Sequence, residues 1–191
     1  MKSFTKTTIL LVLTCILAAT MFVGCSNDKR GYAYKAAIPN AGFERGDLSG
    51  WTVTGDAFSV EESANKSLGQ DGRFYVKSSK EGKGELTSAK FTLKDTGYVS
   101  FLIGAGEGDC YVAVYADDVL VKEISNPYFE AQKDDVMRRV LVNLTNYVGQ
   151  QIYFKIVDNS SDMVYSYINV DAFDVNVTVT DKAVYKTAKE V

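Results

Sequence analysis

The side chains available for chemistry in this sequence offer oxygen atoms and aromatic rings, and no imidazole. The 191 residues include no histidine, 24 Asp and Glu, 12 Tyr, 10 Phe and one Trp, with a formal net charge of −3. Ser-His-Asp and Cys-His nucleophile systems, and zinc sites that need imidazole, are therefore excluded. The mild acidity also argues against nucleic acid as a partner, because neutralising phosphates requires a basic face.

Three carboxylate doublets are the candidates for hydrolytic chemistry. They are Glu61-Glu62, Asp117-Asp118 and Asp134-Asp135. Glycoside hydrolysis needs two carboxyl groups about 5–10 Å apart in a cleft. Adjacent residues of a strand point to opposite faces, so the two members of a doublet do not converge. We therefore expect solvated turns or edges at the doublets, and no enzyme.

Aromatic residues beside turn residues are candidate carbohydrate contacts. Sugars present apolar C–H faces and many hydroxyl groups, so their sites combine an aromatic platform with polar partners. Two loops offer this combination, one after Asn126-Pro127 and one after residues 158–162. The candidate carbohydrate-binding residues are Tyr128, Phe129, Arg138, Asp158, Asn159, Tyr165 and Tyr167. For each aromatic residue alone, packing in the core or at a sheet edge is the alternative.

Cys110 and Trp51 are predicted to be core residues. Cys110 alternates with Val112 and Val114, and Trp51 alternates with Val53, so each shares the apolar face of a strand. The chain has no CxxC motif and no cysteine cluster, which argues against an intrachain disulfide and a metal–thiolate site. A reactive role for the Cys110 thiol is not expected.

Short segments with two-residue alternation recur from Ile38 onward and are separated by Gly, Asp and Asn turns. This alternation is typical of strands with one buried face, and turns every eight to twelve residues favour a sandwich or barrel of antiparallel strands. Asp117-Asp118 lies between two such segments and indicates a tight hairpin. We therefore predict one all-β domain over residues 38–180.

The last strand contains a change of phase. Its apolar positions are Ile168, Val170 and Ala172, and then Phe173 and every second residue after it. A period-two pattern can change phase within a strand only when an extra residue is inserted, so a β-bulge is expected between Asp171 and Phe173. A sandwich corner, where the strand passes between sheets, is the structural alternative.

Several segments resemble galactose-binding-like β-sandwich carbohydrate-binding modules. Asn40–Glu44 and Gly46–Trp51 resemble an N-G-x-F-E…G-W opening, and Gly84–Ser88 is similar to a G-x-L-T-S strand. Residues 101–106 resemble an F-L-I-G-G-G segment, and 156–160 with 168–171 resemble an I-V-D-N-S…I-N-V-D ending. The ordered set is similar to the modules attached to levanase- and inulinase-type fructan hydrolases. It implies a two-sheet antiparallel β-sandwich, of jelly-roll type, that captures a glycan.

The resemblance also implies a function without catalysis. We expect a carbohydrate-binding protein at the cell surface, with fructan as one candidate ligand and separate glycoside hydrolases as candidate partners. Tyr165-Ser166-Tyr167 stands where the family ending has tryptophan-glycine-histidine, so ligand preference is expected to differ, or binding to be lost. The alternative is a structural or adhesive module that contacts a protein or cell-wall partner.

The same resemblance implies a structural calcium site. It would lie where the Asn/Glu region of the first strand meets the aspartate of the last, at Asn40, Glu44 and Asp171. Calcium favours six to eight oxygen ligands, and the expected bulge would turn the Asp171 carboxylate toward the others. In the alternative interpretation, Glu44 and Asp171 are surface carboxylates or pair with Arg45 or Arg73.

Residues 22–25 (FVGC) resemble the lipobox of bacterial lipoproteins, in which the cysteine becomes the acylated first residue. They end an apolar run that starts at Ile9 and is shorter than the about 20 residues of a spanning helix. We predict a signal peptide over residues 1–24, lipidation at Cys25, a tether over 25–37 and a tail over 181–191. The domain would then face outside the cytoplasm, anchored to the bacterial membrane by acyl chains. An ordinary export signal is the alternative.

Overall fold

The computed structural model describes residues 37–64, 67–160, 164–175, 177–178 and 189–191. The chain divides into two units, residues 1–30 and residues 31–191, and all described residues belong to the second. The predicted signal peptide, Cys25 and the tether up to residue 36 lie outside the described residues. Within the described ranges, no helix is long and apolar enough to cross a lipid bilayer.

The described elements are mostly short strands, and a four-residue α-helix and a 3₁₀ helix lie between them. In chain order they are β1 (Trp51–Gly55), β2 (Phe58–Glu62), β3 (Phe74–Ser78), β4 (Gly84–Ser88), β5 (Phe91–Thr92), β6 (Tyr98–Ala105), β7 (Cys110–Ala116), β8 (Val119–Ile124), α1 (Phe129–Gln132), β9 (Arg138–Asn143), the 3₁₀ helix (Thr145–Tyr147), β10 (Gln151–Asp158), β11 (Ile168–Asp174) and β12 (Lys189–Glu190).

The strands form two six-stranded sheets that pack face to face. The first sheet has the order β1-β4-β10-β7-β8, with β5 beside the start of β10, and the second has the order β12-β9-β6-β11-β3-β2. The described pairings are antiparallel except that of β12 with β9, which is parallel. The predicted two-sheet antiparallel β-sandwich is thus confirmed, and the parallel strand β12 lies in the segment predicted to be a tail.

The core lies between the sheets and is rich in aromatic rings. Phe173 of β11 packs against Trp51, Phe101 and Phe154, with ring centroids 5.0–5.4 Å apart. Trp51 and Phe154 belong to the first sheet and Phe101 to the second, so this cluster joins the two layers. The predicted burial of Trp51 is confirmed, since the side chain is 7% exposed.

Two local predictions about the strands are confirmed. The register of β11 against β6 shifts between Asp171 and Asp174, and Ala172 has a positive φ of 49°, which is the expected bulge. Asp117 and Asp118 form the two-residue turn between β7 and β8, with φ of 46° and 66°. Two central residues with positive φ are typical of a tight type I′ hairpin, whose twist matches that of the strands.

The outer face of the second sheet is covered by two loops. Tyr75, Leu102, Met137 and Ala172 form a small second apolar cluster there, and Leu68 packs against it. The Met137 amide donates to the Leu68 carbonyl at 2.6 Å, so the β2–β3 and β8–β9 connections meet over the sheet.

We call one end of the sandwich the loop end. It is formed by the turn Gly106–Asp109, by the connection from β8 to β9, and by the described residues of the β10–β11 connection. The Glu107 amide donates to the Tyr165 carbonyl at 2.9 Å, and the Asn159 amide donates to the Asp109 carbonyl at 3.0 Å. These backbone hydrogen bonds hold the turn after β6 and the β10–β11 connection, which are about 50 residues apart in sequence, against each other.

Candidate functional site

Three of the predicted carbohydrate-binding aromatic residues meet at the loop end. The Phe129 ring contacts the Tyr165 ring edge to face, with centroids 5.5 Å apart, and the Tyr165 centroid lies 6.2 Å from that of Tyr167. Phe129 is buried and Tyr165 is half-buried. Phe129 comes from α1 and the tyrosines from the β10–β11 connection, so both predicted loops contribute to this aromatic cluster.

The backbone around Tyr165 is fixed by the turn after β6. The Tyr165 amide donates to Glu107 Oε2 at 3.2 Å, and the Glu107 amide donates back to the Tyr165 carbonyl at 2.9 Å. The Gly106 amide donates to the Tyr167 carbonyl at 2.8 Å. The backbone of Tyr165 and Tyr167 is therefore anchored to the turn after β6.

Tyr167 is the most enclosed member of the cluster, with 5% exposure. Its hydroxyl donates to Asp135 Oδ2 at 3.3 Å. Burial raises the pKa of the Tyr167 phenol, and the negative charge of Asp135 raises the pKa further. The ammonium groups of Lys77 and Lys80 lie over the ring, 4.4 and 5.5 Å from its centroid.

Tyr128 and Arg138 lie apart from this cluster and contact each other. The Arg138 guanidinium lies 6.0 Å from the centroid of the Tyr128 ring. The Tyr128 hydroxyl donates to the Arg139 carbonyl and accepts from the Lys189 amide, so it fastens β12 against β9. Arg138 forms two hydrogen bonds of 2.8 Å with Asp134, which hold the pKa of that carboxyl below its usual value.

Asp158 and Asn159 stand at the end of β10. Asp158 is fully buried, and its Oδ1 accepts from the Cys110 thiol at 3.2 Å and from the Ser160 amide and hydroxyl at 3.0 Å. Asn159 is exposed. Cys110 is fully buried, as its alternation predicts, and burial raises the pKa of its thiol to about 12.

Two of the predicted calcium ligands, Glu44 and Asp171, lie beside Gly42. A Cβ built on Gly42 would stand 3.7 Å from Asp171 Oδ1 and 3.9 Å from Glu44 Cγ. Glu44 Oε1 accepts from the Arg73 and Phe74 amides at 3.0 Å. The contacts of Glu44 with the β2–β3 connection are therefore made to backbone amides.

Asp171 is fully buried and accepts only backbone hydrogen bonds within the described ranges. Its Oδ2 accepts from the Asp71 amide at 2.8 Å and its Oδ1 from the Ala172 amide at 2.7 Å. Burial raises the pKa of the Asp171 carboxyl well above its usual value, and the charges of Asp71 and Glu44 act in the same direction. In the described part of the chain, Asp171 forms no ion pair with Lys or Arg.

Asn40, the third predicted ligand, closes the loop that precedes β1. Its Nδ2 donates to the Asp47 carbonyl at 2.8 Å, and its Oδ1 accepts from the Arg45 amide at 3.2 Å. Its backbone carbonyl accepts from the Trp51 indole at 3.3 Å. Across the described ranges, no group of three or more His, Cys, Asp or Glu side chains converges closely enough to hold a metal ion.

The carboxylate doublets make separate contacts. Glu62 pairs with Arg73, and Asp118 pairs with Lys90. Asp134 pairs with Arg138, while Asp135 accepts from the Tyr167 hydroxyl. Glu62, Asp118 and Asp134 therefore form ion pairs, and Asp135 forms a hydrogen bond with Tyr167.

Lys77 and Lys80 lie beside the loop end and Glu107 lies within it, but none of the three was among the predicted site residues. Lys77 lies on β3 opposite Asn169, Lys80 follows β3, and Glu107 lies in the turn after β6. No motif marks them in the sequence. Only the pairing of β3 with β11, which joins segments about 90 residues apart, brings the lysines to Tyr167.

No protein-family model and no curated protein matches the chain. Among solved structures, it is similar to the carbohydrate-binding module TmCBM61 in complex with β-1,4-galactotriose, with 22% identity, a TM-score of 0.47, and coverage of 72% of this chain and 94% of that one. It is also similar to the K1 cleaved adhesin domain of Lys-gingipain from Porphyromonas gingivalis W83, with 17% identity, a TM-score of 0.48, and coverage of 69% and 93%. A family 6 carbohydrate-binding module has 13% identity and a TM-score of 0.42, with coverage of 65% and 86%. At these identities and TM-scores, the neighbours identify no ligand for this chain.

Proposed function

We propose that this chain is a non-catalytic glycan-binding protein whose ligand contacts the loop end. The observation that carries the proposal is the aromatic cluster of Phe129, Tyr165 and Tyr167, with charged side chains at its border. Sugars bind through their apolar C–H faces on aromatic rings and through their hydroxyl groups on polar side chains. Lys80, whose ammonium group lies over the Tyr167 ring, and Glu107, which accepts from the Tyr165 amide, supply such polar groups beside the cluster.

Within this cluster, Tyr165 is the platform that the ligand stacks on. The ring is half-buried, so part of it remains accessible, and its other side rests on Phe129. The Tyr165 amide donates to the Glu107 carboxylate and the Tyr165 carbonyl accepts from the Glu107 amide, so the backbone that carries the ring is anchored at both groups. A fixed aromatic ring loses little conformational entropy when a ligand binds, which favours affinity.

The proposal is tested by measuring glycan binding before and after removal of the Tyr165 ring. The probes are levan and inulin, which represent the fructan expectation, and a glycan array of neutral and acidic polysaccharides. Tyr165→Ala should weaken binding at least about tenfold, or ~1.4 kcal/mol. Tyr153→Ala is the matched control, because Tyr153 stacks on Tyr115 at 4.8 Å on the outer face of the first sheet.

The outcome separates the two classes of function. Equal loss of affinity in Tyr165→Ala and Tyr153→Ala would contradict the assignment of the loop end. Absence of binding to every glycan, together with a protein or cell-wall partner that is retained on the immobilised domain, would replace the proposal with the adhesive alternative.

We also propose a structural Ca²⁺ held by Glu44 and Asp171, with backbone carbonyls completing the ligand set. The fully buried Asp171 carboxylate, which has no cationic side chain paired with it in the described part of the chain, fits a hard cation. When bound, the ion would neutralise the two carboxylates. The Asn40 side chain is left out of this proposal, because its contacts close its own loop.

Calcium should stabilise the folded chain by mass action. At a Ca²⁺ concentration 100 times the Kd, the gain is about 2.7 kcal/mol, so chelation should lower the Tm of the wild type. Asp171→Asn should show no such response. Glu62→Gln, which removes an exposed acid paired with Arg73, should respond to chelation as the wild type does. Equal shifts in Asp171→Asn and the wild type would contradict the ligand assignment.

The lipobox-like segment supports a third proposal, that Cys25 is acylated and anchors the domain to the outside of a bacterial membrane. Tethering would raise the local concentration of captured glycan for separate hydrolases. Cys25→Ser should abolish incorporation of a labelled fatty acid and move the protein from the membrane fraction to the soluble fraction. Cys15→Ser is the control. Labelling that survives in Cys25→Ser would contradict this proposal.

A further inference from the structure

Two lysine side chains converge on one tyrosine ring at the loop end. The Nζ atoms of Lys77 and Lys80 lie 4.4 and 5.5 Å from the centroid of the Tyr167 ring. Lys77 lies on β3 and is half-buried, and Lys80 follows β3 and is exposed. A cation–π contact with one ring attracts an ammonium group, but two ammonium groups around the same ring repel each other.

The acidic groups around these lysines have other contacts. Asp135 lies at the hydroxyl edge of the ring, 3.3 Å from the Tyr167 oxygen, and Glu107 accepts from the Tyr165 amide. In the described part of the chain, neither Lys77 nor Lys80 has a carboxylate oxygen within 4.0 Å of its ammonium nitrogen. The loop end therefore presents two positive charges next to a buried ring.

We propose that the glycan bound at the loop end is anionic, and that Lys77 and Lys80 bind its carboxylate or sulfate group. This proposal rests on the proposed function and specifies the class of ligand. Tyr165 would stack on the apolar face of a sugar ring, while the lysines face the acidic substituent on the neighbouring side, above Tyr167. An anion there offsets the repulsion between the two ammonium groups, which a neutral sugar does not.

Uronic acids and sulfated sugars both supply the required negative charge. A uronate carries a planar carboxylate on the ring, whereas a sulfate ester projects further and has three outer oxygens. Lysine binds either as a point charge, without the bidentate geometry that arginine imposes. The shared chemistry is therefore an anionic sugar ring, and separate probes distinguish the two sources.

The test compares matched oligosaccharides by isothermal titration calorimetry. The probes are oligogalacturonate, its carboxyl-reduced neutral counterpart, and a sulfated galactan oligosaccharide of the same length. We expect at least about tenfold tighter binding of one acidic probe than of the neutral one at low ionic strength, with the difference shrinking as salt screens the charges. The better acidic probe identifies the source of the charge.

Variants then assign the preference to the lysines. Lys77→Gln/Lys80→Gln should lose the preference for the acidic probe, while Lys77→Arg/Lys80→Arg should keep most of it. Lys94→Gln/Lys122→Gln removes the same charge elsewhere on the domain and should bind as the wild type does. Thermal melts verify folding, and the two single Lys→Gln variants replace the double variant if it does not fold.

The possible failures are distinguishable. Equal affinity for the acidic and neutral probes, or an acidic preference that survives Lys77→Gln/Lys80→Gln, overturns the anionic-ligand proposal but leaves glycan binding intact. Absence of binding to all three probes and to the glycan array overturns the proposed function itself.

Discussion

Tyr165 and Tyr167 are two residues apart, yet their side chains have different surroundings. Tyr167 is 5% exposed, donates to Asp135, and has two lysine ammonium groups over its ring. Tyr165 is half-buried and rests on Phe129. We therefore expect changes at Tyr167 to affect mainly folding stability, and loss of the Tyr165 ring to affect mainly ligand affinity.

Tyr167→Phe isolates the contribution of the phenol hydroxyl. It should lower the free energy of unfolding by about 1 kcal/mol, because the hydrogen bond to Asp135 is lost while the ring and its packing remain. Glycan affinity should stay within about twofold of the wild type. Urea unfolding and calorimetry measure the two quantities. Tyr165→Phe makes the same chemical change on a more exposed ring, and an equal loss of stability there would contradict this division.

The Cys110 thiol should be unreactive in the folded protein. Its pKa of about 12, raised by burial, leaves almost no thiolate at pH 8, and thiolate is the nucleophilic form. In a chain with Cys15→Ser and Cys25→Ser, a disulfide reagent at pH 8 should label Cys110 slowly, and rapidly once urea unfolds the chain. The same raised pKa makes the folding stability depend on pH. Above about pH 8.5, the ordinary pKa of an unfolded thiol, the unfolded chain loses the Cys110 proton and the folded chain keeps it, so the free energy of unfolding should fall as the pH rises. Below that pH the thiol is protonated in both states, and this group should have no effect on stability. Cys110→Ser is the control for that dependence.

At the scale of elements, β11 shows which features of a strand can be predicted from its own sequence. Its phase change predicts the bulge, because the period of two is a local property of a strand. The β7–β8 hairpin is predicted for the same reason, from two residues that tolerate positive φ. The parallel pairing of β12 with β9 could not be predicted, since it depends on where the chain returns after many residues.

The β8–β9 connection approaches the second sheet closely at Gly104, where the absence of a side chain leaves room for it. A Cβ at Gly104 of β6 would collide with the Asp135 carbonyl oxygen. That oxygen also accepts from Asn169 Nδ2 at 3.1 Å. Gly104→Ala should therefore push this connection outward and lower the free energy of unfolding by about 1–3 kcal/mol in urea.

Gly42→Ala is the matched control for Gly104→Ala. Its Cβ would meet its nearest neighbour, Asp171 Oδ1, at an ordinary contact distance of 3.7 Å. We expect a clearly smaller change in the free energy of unfolding under the same conditions. If both variants lose the same free energy of unfolding, the proposal that Gly104 allows the β8–β9 connection to approach β6 closely is contradicted.

The candidate site was only partly predictable, because some of its contacts join segments that are distant in sequence. Phe129, Tyr165 and Tyr167 could be selected because aromatic residues beside turn residues stand out in a single segment. Lys77 and Lys80 could not, because a lysine acquires a particular role only through its neighbours, which here come from β3 and the β10–β11 connection. Tyr128 was selected by the same rule as Phe129, but its hydroxyl fastens β12.

At the scale of the whole molecule, the aromatic core determines whether the loop end exists at all. Phe173 contacts one ring of the second sheet and two of the first, and all four side chains are at most 7% exposed. The loops of the loop end are attached to the strands that this cluster joins. The sandwich must therefore be folded for the loop end to form, although the two regions do not share residues.

Phe173→Ala should cost about 3–5 kcal/mol of unfolding free energy, because it removes a buried ring and leaves a cavity between the sheets. Denaturant unfolding measures the loss, with Val119→Ala as the control, since Val119 is 64% exposed on an edge strand and should change stability by less than about 0.5 kcal/mol. Phe173 lies in the half of β11 away from Tyr167, so glycan affinity measured where Phe173→Ala is still folded should equal that of the wild type. Reduced affinity in the folded variant would instead show that the core sets the positions of the loop-end side chains directly, beyond keeping the chain folded.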